Sequence, residues 1–223
     1  MRRTNSIALI ALTVLIAACS EDGGDPVVSI LPGDGAPTAI EAVEGLVGAI
    51  NSADFVASSR LAIPGHAALA SLAEGATFSA VADALREGDE EVAANFWAGF
   101  AQGSGAFLTE TLTTAEGGVV DQDALQFHTI MVRGGAGEER AILVRDDDGF
   151  RVDLFASFGA GLADKMAAPV ERLLTTQTDD ARLILASLAD IVPSLLVAAE
   201  LPGTTPEVAQ QILALVELIT RVG

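Results

Sequence analysis

From residue 38 onward, apolar residues recur at three- and four-residue intervals. Thr38 with Glu41 three positions later forms a capping-box pattern, and Ile40, Val43, Leu46, Val47 and Ile50 follow at helical spacing. The spacing predicts a first helix that closes near Asn51. Phe55, Val56 and Leu61 continue as a second short helix. Pro64 at a helix start, Leu69 and Leu72, and then Phe78, Val81 and Leu85 after Gly75 predict two more. Val92, Phe96, Trp97, Phe100 and Phe107 carry a helical stripe over residues 90–107, weakened by Gly99, Gly103 and Gly105.

The period then changes. Residues 107–114 are rich in Thr and apolar side chains, and Leu125, Phe127, Thr129 and Met131 alternate with Gln126, His128, Ile130 and Val132. Alternation of this kind means strand. Gly134, Gly135 and Gly137 break the run, residues 140–145 resume it, Asp147-Asp148-Gly149 turns it, and residues 150–155 follow as a last strand. Turns at this spacing predict an antiparallel meander of three or four strands. Residues 160–223 return to helical spacing. Within residues 182–201, Ser187, Asp190 and Ser194 form one narrow polar stripe among apolar residues, which predicts a mostly buried helix. A membrane span of that length is disfavoured by Asp190 near its middle and by Pro193. Thr205, Pro206 and Glu207 start a final helix with Val208, Ile212, Leu215, Val216 and Ile219 on one face. The expected fold class is therefore α+β: N-terminal helices, an antiparallel meander, and a C-terminal helical extension packed on the core.

The first 19 residues are of a different kind. Arg2 and Arg3, an apolar run over residues 7–16 and then Ala17-Ala18-Cys19 form a secretory signal pattern. Leu15-Ile16-Ala17-Ala18-Cys19 resembles the lipobox of bacterial lipoproteins. That resemblance implies diacylglycerol on the Cys19 sulfur, cleavage after Ala18 and, in many bacteria, acylation of the new amino group. Two or three chains give stable anchoring where one gives marginal binding. Residues 1–18 are then a signal peptide and residues 19–37, dense in Gly, Pro and Asp, a flexible tether. The folded part divides at residues 38–158 and 159–223. The localisation implied is the cell envelope, on the extracytoplasmic face of a bacterial membrane.

Charge narrows the partners. The 223 residues carry a formal charge of −19, and removing residues 1–18 leaves ten basic against thirty-one acidic side chains, or −21. Such a surface repels phosphate backbones, so nucleic acid is not an expected partner. With Cys19 the single cysteine, no disulfide or Cys-rich zinc site forms within one chain.

Helices, then a meander closing on residues 148–153, resemble the NTF2-like superfamily (a cystatin-like arrangement), especially its small exported lipoproteins. The first helix ends in an Ala-Ile-Asn-Ser-Ala-Asp-Phe phrase over residues 49–55, and Phe150 takes the aromatic place in an Asp-Gly-Trp-Lys-Val-Asp type of last strand. The hairpin expected between the early helices is not found, and the helical tail is extra. The resemblance implies a sheet curled into a cone around an apolar pocket. An enzyme of that type would place an acid or base in the cone, and His128 and Asp153 are the ionisable residues expected on its strands, His128 being the better proton carrier.

Other chemistry is weaker. Asp146-Asp147-Asp148-Gly149 lacks the alternating ligands of an EF-hand loop. His66 has no neighbouring His or Cys and reads as a surface histidine. The glycine-rich stretches lack the Lys-Ser/Thr of a phosphate loop. Phe96, Trp97 and Phe100 read as core. No cofactor is expected. The expectation is a non-catalytic, lipid-anchored domain that binds an apolar ligand or an envelope protein. The alternatives are a small enzyme using His128 or Asp153 and a helical oligomerising or membrane-contacting module.

Overall fold

The computed structural model describes residues 35–74, 78–103, 105–109, 111–135, 137–176 and 178–221. The expected signal peptide, Cys19 and nearly all of the expected tether lie outside the described residues. Five helices come first: α1 (Ala39–Asn51), α2 (Phe55–Leu61), α3 (His66–Ser71), α4 (Phe78–Glu87) and α5 (Glu90–Gln102). Thr38, Asp54 and Asp89 cap α1, α2 and α5 by accepting backbone N–H groups of the first turn. α5 ends at Gln102, short of the 107 expected, and a separate 3₁₀ turn spans Ala106–Thr109.

Strands β1 (Thr113–Gln122), β2 (Leu125–Arg133), β3 (Glu139–Asp146) and β4 (Phe150–Val152) follow as an antiparallel meander in sequential order. His128 pairs with Val144, Ile130 with Ile142, and Val144 in turn with Val152. Because strand side chains alternate, Ile130, Val132, Ile142, Val144 and Val152 share one face, where α1 touches all four strands. Phe127 and Leu143 point the other way and pack with Ala156 and Val197 in a smaller cluster.

This arrangement corrects the NTF2-like/cystatin-like expectation. The sheet is open, with β1 and β4 at its ends, and it does not close or curl into a cone. No strand among the described residues separates the early helices. The physical reason lies at the last strand, which stops after three residues because Asp153 caps a helix where a strand was expected to continue. α1 fills the face that a cone would leave hollow.

That helix, α6 (Leu154–Thr175), leads into α7 (Asp179–Ala189), α8 (Val192–Glu200) and α9 (Pro206–Thr220). The single helix expected over residues 182–201 is thus two helices bent by 46° at the break before Pro193. α8 buries Ser194, Leu195, Val197 and Ala198, whereas among the described side chains of α7 only Ala181, Ile184 and Leu188 are buried and Leu183 is 40% exposed. Among the described residues no single helix is long and apolar enough to cross a membrane. The bent pair qualifies by composition alone, and its Leu188, Ile191 and Leu195 are fully buried in the main core.

The aromatic residues of α5 belong to the same core. Trp97 is wholly buried and donates its indole N–H to Ser59 Oγ at 2.8 Å, and Phe100 meets Phe158 of α6 edge-on at 5.0 Å.

Candidate functional site

Asp153 is where four distant parts of the chain meet. As the N-cap of α6 it accepts the Ala156 N–H through Oδ1 at 2.8 Å, and Ser194 of α8 donates its hydroxyl to Oδ2 at 2.7 Å. Nη1 of Arg145, on β3, stands 3.5 Å from Oδ2, and Nδ1 of His66, on α3, stands 3.5 Å from Oδ1. The carboxylate has no exposed surface. A buried charge is tolerable only when it is compensated. Here the compensation is a neighbouring guanidinium, two hydrogen bonds and the positive end of a 22-residue helix.

His66 reaches this place through a short turn. Ile63 donates its backbone N–H to Val152 at 3.0 Å, which ties the turn to the end of β4. Gly65, at φ 86°, then reverses the chain in a conformation that a Cβ would strain, and α3 starts with His66 facing inward. The sequence suggested a surface histidine; the structure instead buries it to 4% exposure, edge-on to Phe155. Nδ1 is the one buried side-chain polar atom among the described residues without a hydrogen-bond partner. At 3.5 Å from Asp153 it is just outside normal bonding distance.

Above this cluster lies an open cleft of about 670 Å³. His66 is among the residues that line it, while its Nδ1 stands beside the buried Asp153 carboxylate. Apolar side chains, Leu69, Phe78, Leu125 and Leu183 among them, make most of the wall, and Arg145, Ser187 and Asp190 supply the other polar groups. Asp153 and Ser194 lie beneath the floor.

Burial pushes the His66 pKa below its ordinary value near 6.5, outweighing the opposing pull of the Asp153 charge. The imidazole is therefore neutral at neutral pH. The consequence for stability has a definite sign. Between the lowered folded value and about 6.5 the unfolded chain holds a proton that the folded chain does not, so His66 makes stability rise with pH across that window. Its contribution is complete above about 6.5 and is lost as pH falls through the folded value. Wild type and His66→Gln should therefore show urea midpoints that run parallel above about pH 6.5 and diverge below it, the wild type losing more on acidification. The slope difference is at most about 1.4 kcal/mol per pH unit. Curves that stay parallel below that pH would show that the histidine titrates normally.

No protein-family model, curated protein or solved structure matches the chain. The NTF2-like reading therefore fails on structure and finds no relative to restore it. The expected lipid anchor and envelope location likewise draw no support from known proteins.

The two ionisable residues singled out in the sequence are not brought together. His128 lies on the α1 side of the sheet, half-buried, its ring 5.1 Å from Phe150 and perpendicular to it. The groove beside it is shallow, about 140 Å³, and is lined by Glu116, Gly117 and Gly118. No cone encloses it. Asp153 projects from the opposite face and is a helix cap, not a strand residue.

Asp146 accepts the Gly149 N–H and closes the β3–β4 turn. Among the described residues no group of three His, Cys, Asp or Glu side chains is placed to hold a metal ion.

Sequence reasoning missed His66, Arg145 and Ser194. One signal was present. Ser194 belonged to the polar stripe with Ser187 and Asp190, and a narrow polar stripe on an otherwise apolar helix implies polar partners in the interior.

Chemically, the cluster offers a neutral imidazole backed by a carboxylate. It does not offer an activated serine, because the Ser194 hydroxyl is spent on Asp153 and has no base.

Proposed function

We propose that the cleft over His66 is an acid–base site that binds a small, mostly apolar molecule and takes a proton from it at His66. The observation that carries this reading is the buried imidazole itself, which lines the cleft while its Nδ1 stands 3.5 Å from the Asp153 carboxylate. A carboxylate at that distance stabilises the imidazolium electrostatically as it forms. Desolvation keeps the ring in its basic form beforehand. Arg145, on the cleft wall, is placed to stabilise negative charge that develops on the molecule losing the proton. Asp153 thus acts through His66 and does not itself touch the substrate.

Two measurements test this. Binding of the neutral apolar dye Nile red should be weakened about tenfold or more by Ala186→Trp, which fills the cleft from the exposed face of α7. Proton abstraction from activated nitroalkanes, followed by absorbance, should fall about 10²-fold or more in His66→Asn, the scale on which a positioned base contributes. Dye binding that ignores Ala186→Trp would remove the cleft from consideration. Binding without His66-dependent turnover would leave the cleft as a non-catalytic receptor for an apolar ligand, the function expected from the sequence.

The lipid anchor at Cys19 is a separate proposal and rests on the lipobox pattern of residues 15–19. Mass spectrometry of the protein from native membranes checks it. A mature N-terminus at Cys19 carrying diacylglycerol supports it, and an unmodified cysteine overturns it.

A further inference from the structure

Asp190 breaks a local rule. It is the C-cap of α7, where the helix carbonyls already give partial negative charge and where a cation, not an anion, is favoured. No cation answers it: among the described residues its side chain has no ion pair and no hydrogen bond, and it is exposed on the wall of the His66 cleft. Arg145, the cation on the same wall, has the buried Asp153 carboxylate 3.5 Å away. His66 is neutral. Asp147 adds negative charge within electrostatic reach of the same imidazole. The cleft therefore carries a net negative potential in a chain of formal charge −19, and its walls are apolar. Local rules are broken most often where function requires it.

We infer that the cleft selects molecules with an apolar body and a positively charged nitrogen, the body lying against Leu125 and Leu183 and the cation beside the Asp190 carboxylate. The inference rests on the reading of the cleft as a binding site and adds the class of molecule it takes. The ammonium N–H groups donate to the Asp190 oxygens. A carboxylate in the same place would meet the Asp190 charge and the carbonyl end of α7.

The test uses three probes that share one body: 4-phenylbutylamine, 4-phenylbutanol and 4-phenylbutyrate, titrated into the full chain by calorimetry at pH 7 and low salt. The amine should bind about two- to tenfold more tightly than the alcohol, the range expected of a partly exposed charge pair, and the acid more weakly than either. Added salt at about 0.5 M should shrink the spread. In Asp190→Asn the amine should lose its advantage while the alcohol is unaffected. Asparagine is well tolerated at a helix C-terminus, so this variant should melt no lower than wild type, which separates ligand selection from a structural role. If the alcohol binds and the amine gains nothing, or if Asp190→Asn leaves the preference intact, the inference falls and the binding cleft stands. If none of the three binds, the cleft reading falls and the inference with it.

Discussion

Replacing Asp153 with alanine should destabilise the protein by about 3–5 kcal/mol, the range seen when one partner of a buried charge pair is removed. The loss has several sources that act at one point. The Ala156 N–H loses its cap, a change that alone costs about 1 kcal/mol. Ser194 Oγ is left buried without an acceptor. Arg145, whose side chain is only 16% exposed, keeps its charge without the carboxylate. Asp153→Asn keeps an oxygen for the cap and should cost roughly half as much, since what it removes is mainly the charge. Against a typical total of about 5–15 kcal/mol, the alanine variant would be marginal at physiological temperature. Urea denaturation of the full chain with both variants gives the measurement. A shift below about 1 kcal/mol for Asp153→Ala would mean that the four groups around it are held by their own packing and not by the carboxylate.

A chain that stops after Ser157 should aggregate or unfold without a cooperative transition. α6 begins at Leu154, so the cut leaves one turn of a helix whose Leu162, Met166 and Val170 face the core. It also removes Leu188, Ile191, Leu195, Ile212, Leu215 and Ile219, all buried in the cluster that holds Leu46 and Trp97. Each such side chain is worth about 1.5–3 kcal/mol when fully buried, so losing several exceeds the whole stability of an ordinary domain. Size-exclusion chromatography and a thermal melt decide the matter. A soluble monomer with a sharp transition would show residues 158–223 to be a separate module.

The sequence carried the fold where local signals agree with the tertiary result. Thr38 and Thr205 cap α1 and α9 at the places their patterns indicate, and alternation over residues 125–132 marks β2. Legibility ended where long-range contacts decide. Gly117 and Gly118 sit inside β1 and together face Thr129, between the Glu116–Ile130 and Val119–His128 pairs, because paired strands absorb an extra residue as a bulge. Phe150-Arg151-Val152-Asp153-Leu154 alternates like a strand. Only the acceptor role of Asp153 toward Ala156 N–H, visible as an Asp three residues before a small residue in a longer helical stripe, marks the switch to α6.

His66 was illegible for a different reason. Nothing within ten residues of it predicts Asp153, and its burial depends on the pairing of the neighbouring Ala62 with Val152. The candidate site is a product of topology. Its residues come from α3, β3, the start of α6 and α8, and no two of them share a motif.

That same separation bears on how the protein folds. Ser194 and Asp153 are 41 residues apart, and His66 is farther still in the other direction. Contacts of such range require much of the chain to be ordered before they repay the entropy of closing the intervening loops. The capped helices α1 and α9 and the hairpins of the meander can form from local contacts, while the carboxylate cluster must wait for α3, β3, α6 and α8 to arrive together. It therefore acts on the lifetime of the native state more than on the speed of reaching it, a clasp that slows opening once the parts have met.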